Sequence, residues 1–159
     1  MDFNTAFDRL IGNEGGYVND PHDPGGETNW GISKRSYPTV DIRNLTKYQA
    51  KDIYKRDFWD AGKMERFHGA VAFQVFDIAV NHGIGNAIRM LQRAAGVADD
   101  GHVGPITISA VMNKTDTDMI MLIIAERIEF WTKLSTWSSF GKGWARRAAT
   151  NLRYGAEDA

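Results

Sequence analysis

From Val71 to His82 the sequence reads Val-Ala-Phe-Gln-Val-Phe-Asp-Ile-Ala-Val-Asn-His, with apolar side chains on nearly every side of a helix rather than along one stripe. Such a helix is stable only when other elements surround it, so the fold must be built about this segment as a buried rod. At 159 residues the chain is one domain, or one domain with two lobes. A chain of that size buries roughly 68–70% of its unfolded surface and needs no disulfide or metal to hold a core. Two of the polar residues in the rod stand out. Asp77 and Asn81 stand at i and i+4 and share a face. Buried polar groups need partners, so the pair either fastens the rod to a neighbour or looks into a cleft. Asn81, just before the break at Gly83, is the better placed to meet a ligand.

The flanking segments carry helical periodicity. Phe3, Phe7, Leu10 and Ile11 make one apolar face. Thr46 with Gln49 is a capping box, with Leu45 and Ala50 as its hydrophobic staple, and the helix it opens turns Ala50, Ile53 and Tyr54 to one side before Phe58-Trp59. Tyr54 and Trp59 suit sugar stacking, but large aromatics at this spacing are more often core. Asn86 is placed to cap a helix with Ile88, Leu91 and Ala95 inward and Gly96 at its end. After the turn Asp99-Asp100-Gly101-His102, Gly104-Pro105 restarts a helix with proline at a tolerated first position. A long helix from Met119 to Leu134 is expected to bury Ile120, Ile124, Ile128 and Trp131. Trp137 to Trp144 reads as an aromatic loop, followed by a basic helix with Arg146, Arg147 and Arg153.

Several function classes are excluded or disfavoured. Zero cysteines rule out a thiol nucleophile and a thiolate zinc site. A net charge of −1 offers no general attraction for nucleic acid or an anionic membrane. No signal peptide is visible, and apolar runs stop well short of the ~20 residues of a membrane span. The four histidines, His22, His68, His82 and His102, lie far apart without His-Glu-x-x-His spacing. Asp99-Asp100-Gly101 lacks the alternating oxygen ligands of a calcium loop, and no Gly-x-Ser-x-Gly elbow marks a serine hydrolase. Neither metal nor cofactor is expected.

One stretch carries candidate chemistry. Gly15-Gly16 is a natural stop for the first helix, which would leave Glu14 in its last turn beside unpaired carbonyls. An anion is disfavoured at that end of the helix dipole, so the carboxyl should keep its proton longer than a free glutamate, as general acid catalysis requires. Tyr17 to Asp20 can pair with Thr28 to Ile32 as a small hairpin around Pro21-His22-Asp23-Pro24-Gly25-Gly26, carrying Asp20, Asp23 and Thr28 back toward Glu14. Two carboxyls across a groove are the working parts of glycoside hydrolysis.

Glu14-Gly15-Gly16-Tyr17, then Asp23-Pro24-Gly25-Gly26 and Thr28-Asn29-Trp30-Gly31-Ile32, resembles the signature of glycoside hydrolase family 108, phage-type muramidases of the lysozyme-like superfamily. Leu45-Thr46 and Ile53 to Trp59 are similar to the same family. The segment from Asn86 through Asp100-Gly101, Gly104 to Thr107 and Gly143 to Arg147 resembles the peptidoglycan-binding module that accompanies it. The resemblance implies a lysozyme-like α+β fold, mostly helical, two-lobed, with one small hairpin beside the cleft. Residues 1–85 would be catalytic and 86–159 peptidoglycan-binding, packed as one body. It implies cleavage of the β-1,4 bond between N-acetylmuramic acid and N-acetylglucosamine. Glu14 would be the acid, Asp23 the second carboxylate and Thr28 the residue that holds water. The spacing Glu14, Asp23, Thr28 also resembles the Glu/Asp/Thr triad of neighbouring phage lysozymes, one residue short in the second gap, so Asp20 and Asn29 are alternatives to Asp23 and Thr28. Tyr17, Asn29, Trp30 and Asn81 are expected to bind glycan. A phage endolysin would act as a monomer, released from the host cytoplasm with the help of a holin. The rival reading from another class is a peptidoglycan-binding or virion structural protein with Glu14 idle.

Overall fold

The structure is a computed structural model and describes residues 1–12, 16–22 and 24–159. The central rod is helix α3, and describing it requires the elements that precede it. Helix α1 (Phe3–Ile11) starts on Asp2, whose carboxylate accepts the Thr5 N–H at 2.9 Å. It ends at Gly12, with φ 56° and its N–H on the Asp8 carbonyl. The expected stop at Gly15-Gly16 is therefore corrected: Gly12 is the first residue that can turn left-handed without a Cβ clash, and the helix stops there. Glu14 lies beyond the last turn in sequence, outside the described residues.

Strands β1 (Tyr17–Asn19), β2 (Glu27–Asn29) and β3 (Ile32–Ser33) form a three-stranded antiparallel sheet in sequence order. Tyr17 pairs with Asn29, Val18 with Thr28 and Asn19 with Glu27. The expected single hairpin is thus extended by a second, because Trp30 and Gly31 form a two-residue turn with φ 53° and 76° that returns Ile32 opposite Asn29. Positive φ at both positions suits the right-handed twist of a hairpin. For tryptophan that conformation costs about 1–2 kcal/mol; the Trp30 carbonyl accepts the Tyr54 hydroxyl at 2.9 Å, which helps to hold the turn.

Helix α2 (Lys47–Tyr54) opens on the predicted capping box: Thr46 Oγ1 accepts the Gln49 N–H and Gln49 Oε1 accepts the Thr46 N–H. It runs into a π-helical turn, Lys55–Asp60, and a 3₁₀ turn, Met64–Arg66. Helix α3 (Gly69–His82) has every residue from Ala70 to Ala79 buried, as its all-round apolar pattern demands. Helices α4 (Ile84–Ala95), α6 (Asp116–Thr132) and α7 (Trp137–Asp158) pack around it, with α5 (Pro105–Met112) against α4. On the other side Phe3, Tyr54 and Trp59 meet Phe76 edge-on at 5.3–6.4 Å. Burying each such ring contributes about 1.5–3 kcal/mol.

Three local expectations are corrected. Asn86 lies inside α4, which begins directly after Gly83; its amide donates to the His82 carbonyl at 2.8 Å and so serves the end of α3. Trp137 to Trp144 is the first two turns of α7, with Gly141 buried against the Trp137 ring. Ile128 is 41% exposed, whereas Arg127 beside it is 1% exposed and faces α3. The predicted mostly helical α+β architecture holds.

Candidate active site

A cavity of about 400 Å³ opens where α1, the sheet, α3 and α7 converge. Ile11 and Gly16, the described residues close on either side of Glu14 in sequence, both line it, and so do Trp30, Tyr54, Asn81 and Arg147. A second cavity of about 530 Å³ shares Gly31, Tyr54 and Val80 with the first and adds Ser33, Tyr37 and Asp57. The two adjoin at the shared residues as one groove, lined by aliphatic and aromatic side chains together with polar groups such as Asn81, Arg147 and Asp57, a make-up that suits an oligosaccharide.

The predicted site residues separate into distinct groups. Glu14 and Asp23 lie outside the described residues. Trp30 and Asn81 line the groove. Asn81 is exposed and also donates from its amide to the Asp77 carbonyl at 2.8 Å. Thr28 is half-buried in the centre of β2, opposite Val18, which lines the groove; paired residues project from the same face of a sheet, so Thr28 belongs to the groove face. Tyr17 and Asn29 are on the other face. The Tyr17 hydroxyl donates to Glu27 at 2.8 Å. Asn29 is buried, its amide nitrogen against the Ile42, Arg43 and Leu45 carbonyls at 3.0–3.4 Å. That residue anchors the loop before α2, so its amide nitrogen is already engaged. Asp20 is exposed and accepts the His22 N–H at 2.9 Å within the turn.

Two groove residues were not assigned to it from sequence. Tyr54, read as core, is both: 2% exposed, yet among the residues that line the cavity. Arg147 reaches the groove from α7, far along the chain, and is oriented by Asp77. That carboxylate accepts from Arg147 Nε and Nη2, from Arg127 Nη1 and from Asn151 Nδ2 at 2.6–3.0 Å. Burial alone drives the Asp77 carboxyl upward and is the largest influence, but the Arg147 hydrogen bonds and the Arg127 and Arg147 charges together outweigh it and pull it down to about 2. Asp77 is therefore an ionised fastening post, and of the i, i+4 pair only Asn81 meets the groove. At the far end of the groove Tyr37 donates to Asp57 at 2.7 Å; burial, and then that bond, push the phenol well above its usual range. Among the described residues no cluster of ligating side chains could hold a metal ion, and no helix is long and apolar enough to cross a membrane.

Residues 7–83 match the family described as glycosyl hydrolase 108, and residues 86–149 match a predicted peptidoglycan domain. The structure titled Brucella abortus SagA is 31% identical, with a TM-score of 0.89 over 98% of this chain and 94% of that one. The chain belongs to glycosyl hydrolase family 108. No curated protein matches it. As a family 108 member it is a glycoside hydrolase of lysozyme-like fold, and the second matched region makes peptidoglycan its substrate class. The family 108 match ends at residue 83, where α3 gives way to α4, so Arg147 enters the groove from the following, peptidoglycan-matched region.

Proposed function

We propose that this chain is a muramidase, cutting the β-1,4 bond between N-acetylmuramic acid and N-acetylglucosamine. The observation that carries the reading is the groove flanked by Ile11 and Gly16, on whose lining Trp30 offers its ring to a sugar and Asn81 its side-chain amide to an acetamido group, while the buried Tyr54 holds the Trp30 turn in place. Glu14 protonates the leaving glycosidic oxygen as general acid. Asp23 stabilises the developing oxocarbenium charge or orients water, and Thr28 on the groove face of β2 holds that water. Occupancy of the Asn29 amide by the 42–45 loop supports Thr28 over Asn29 in this role.

The division of labour follows the same reading: residues 1–85 carry the chemistry and 86–159 hold the wall, the two sharing α3 as a common core. We place the protein as a monomeric phage endolysin that waits in the host cytoplasm and reaches the wall through a holin. Mass spectrometry of digested peptidoglycan tests the activity. New reducing ends on muramic acid are expected. Anhydro ends would make it a lytic transglycosylase, freed stem peptides an amidase, and an intact wall with bound protein a binding module alone.

A further inference from the structure

Beside the groove, between α1 and α7, lies a third cavity of about 240 Å³, which adjoins the 400 Å³ cavity at Leu10 and Arg147. Its walls are cationic: Arg9, Arg146 and Arg147, with Thr150 and Tyr154 beside them. Arg9 is fixed by Asp158 at 2.6 and 3.1 Å and lies between the Phe73 and Tyr154 rings, 4.7 and 4.1 Å from their centroids. The Asp77 carboxylate on the floor is filled by its four donors. Arg146 is different: it is exposed, and its guanidinium pairs with no carboxylate among the described residues. The pocket thus has its acids neutralised and a planar, two-pronged cation left at its mouth.

A neutral sugar would give Arg146 no counter-charge, whereas a carboxylate matches the guanidinium fork with two parallel hydrogen bonds. A ligand reaching this pocket from the glycan groove must branch from the glycan. In peptidoglycan that branch is the stem peptide on muramic acid, which carries free carboxylates. We propose that this pocket binds a stem-peptide carboxylate through Arg146, so that the preferred substrate is peptide-bearing glycan rather than bare glycan. The proposal rests on the reading of the groove as the glycan site.

Two measurements test it. The first is kcat/KM on soluble peptide-bearing strands and on strands stripped of peptide by an amidase. The wild-type protein should favour the peptide-bearing strands about tenfold, the scale of one charged hydrogen-bonded contact. Arg146→Gln should bring that ratio close to one, and Arg146→Lys should restore part of it. Equal wild-type rates on both substrates, or an undiminished ratio in Arg146→Gln, would overturn the proposal. The second is an NMR titration with the free stem tetrapeptide, expected to shift α7 resonances in the wild-type protein and not in Arg146→Gln. Peptide binding without cleavage of either strand would leave the pocket standing while removing the muramidase reading. No α7 shift, or inorganic phosphate matching the peptide, would reduce the pocket to a nonspecific anion site and overturn it.

Discussion

Arg147 of α7 holds Asp77 of α3 with both arms of its guanidinium, Nε at 3.0 Å from Oδ2 and Nη2 at 2.6 Å from Oδ1. Since Arg147 also lines the groove, one residue ties the long C-terminal helix to the buried rod and to the candidate site together. Arg127 approaches the same carboxylate from α6, with its own Nε and Nη2 buried and unpartnered among the described residues. The carboxylate is thus what makes two guanidinium groups tolerable against α3.

Asp77→Asn should therefore destabilise the protein by about 3–5 kcal/mol at neutral pH, since it leaves Arg127 buried without its counter-charge. The folded carboxyl titrates near 2, below its ordinary 3.8, so the folded state binds that proton less readily than the unfolded chain. The stabilisation is complete above about pH 4 and is lost as pH falls through about 2, an effect of about 2 kcal/mol. Denaturant titrations between pH 5 and 2 should show this loss in the wild-type protein and a flatter profile in Asp77→Asn. Equal slopes in the two proteins would refute the assignment.

A separate acid step belongs to His82. Its Nε2 accepts the Trp131 indole N–H at 2.7 Å, which requires the neutral ring. Burial, then repulsion from Arg127 and Arg147, lowers its pKa from 6.5 to about 4. For a histidine depressed on folding, stability is full above pH 6.5 and declines as pH falls toward 4, by an amount that solvent screening of the half-buried ring reduces. The melting temperature should fall across that window in the wild-type protein. In His82→Gln, whose amide oxygen can still accept from Trp131, it should stay level.

Local chemistry was legible where one or two neighbouring residues decide it. Thr46 with Gln49, Pro105 at a helix start and the all-round apolar α3 each form what their sequence dictates. The misreadings have a common cause in distant partners. Gly141 and Gly143 with Ser138 and Ser139 resemble a loop, yet a Cβ on Gly141 would meet the Trp137 indole at 2.8 Å, so the glycine is there for close packing within a helix. The choice of Arg127 over Ile128 for the inner face of α6 depends on Asp77, fifty residues earlier. Trp30 and Asn81, singled out from sequence, do lie on the groove lining, whereas the place of Arg147 there and the Asn29 anchor depend on which loops and helices the fold brings together.

Gly31 is a sharper test of the turn that presents Trp30. Its φ is 76°, and an added Cβ would collide with the Tyr54 hydroxyl, the same group that donates to the Trp30 carbonyl. Gly31→Ala should cost about 1–3 kcal/mol from backbone strain and should lower wall-clearing activity further than its stability loss explains, because Trp30, Gly31 and Tyr54 all line the groove. Tyr54→Phe in the same background relieves the collision and should recover stability without recovering full activity. Thermal melts and turbidity assays on the three proteins separate the two effects. Full activity in Gly31→Ala would show that the turn does not shape the site.

The acid assignment predicts a loss of rate without loss of fold. Glu14→Gln keeps the shape and hydrogen-bonding reach of the side chain but has no proton to deliver, so wall clearing should fall by about 10²–10⁴ with the melting temperature unchanged. The two aspartates should then behave unequally. Asp20 is exposed and already accepts the His22 N–H in its turn, so Asp20→Asn should cost little rate. Asp23→Asn should lose far more, with KM nearly constant, as expected when an interaction develops chiefly in the transition state. The measurement is kcat and KM on purified glycan for each single variant alongside its melting temperature. Ranking Asp20 above Asp23 would move the second carboxylate to Asp20, and an active, folded Glu14→Gln would leave the groove without its acid and end the mechanism.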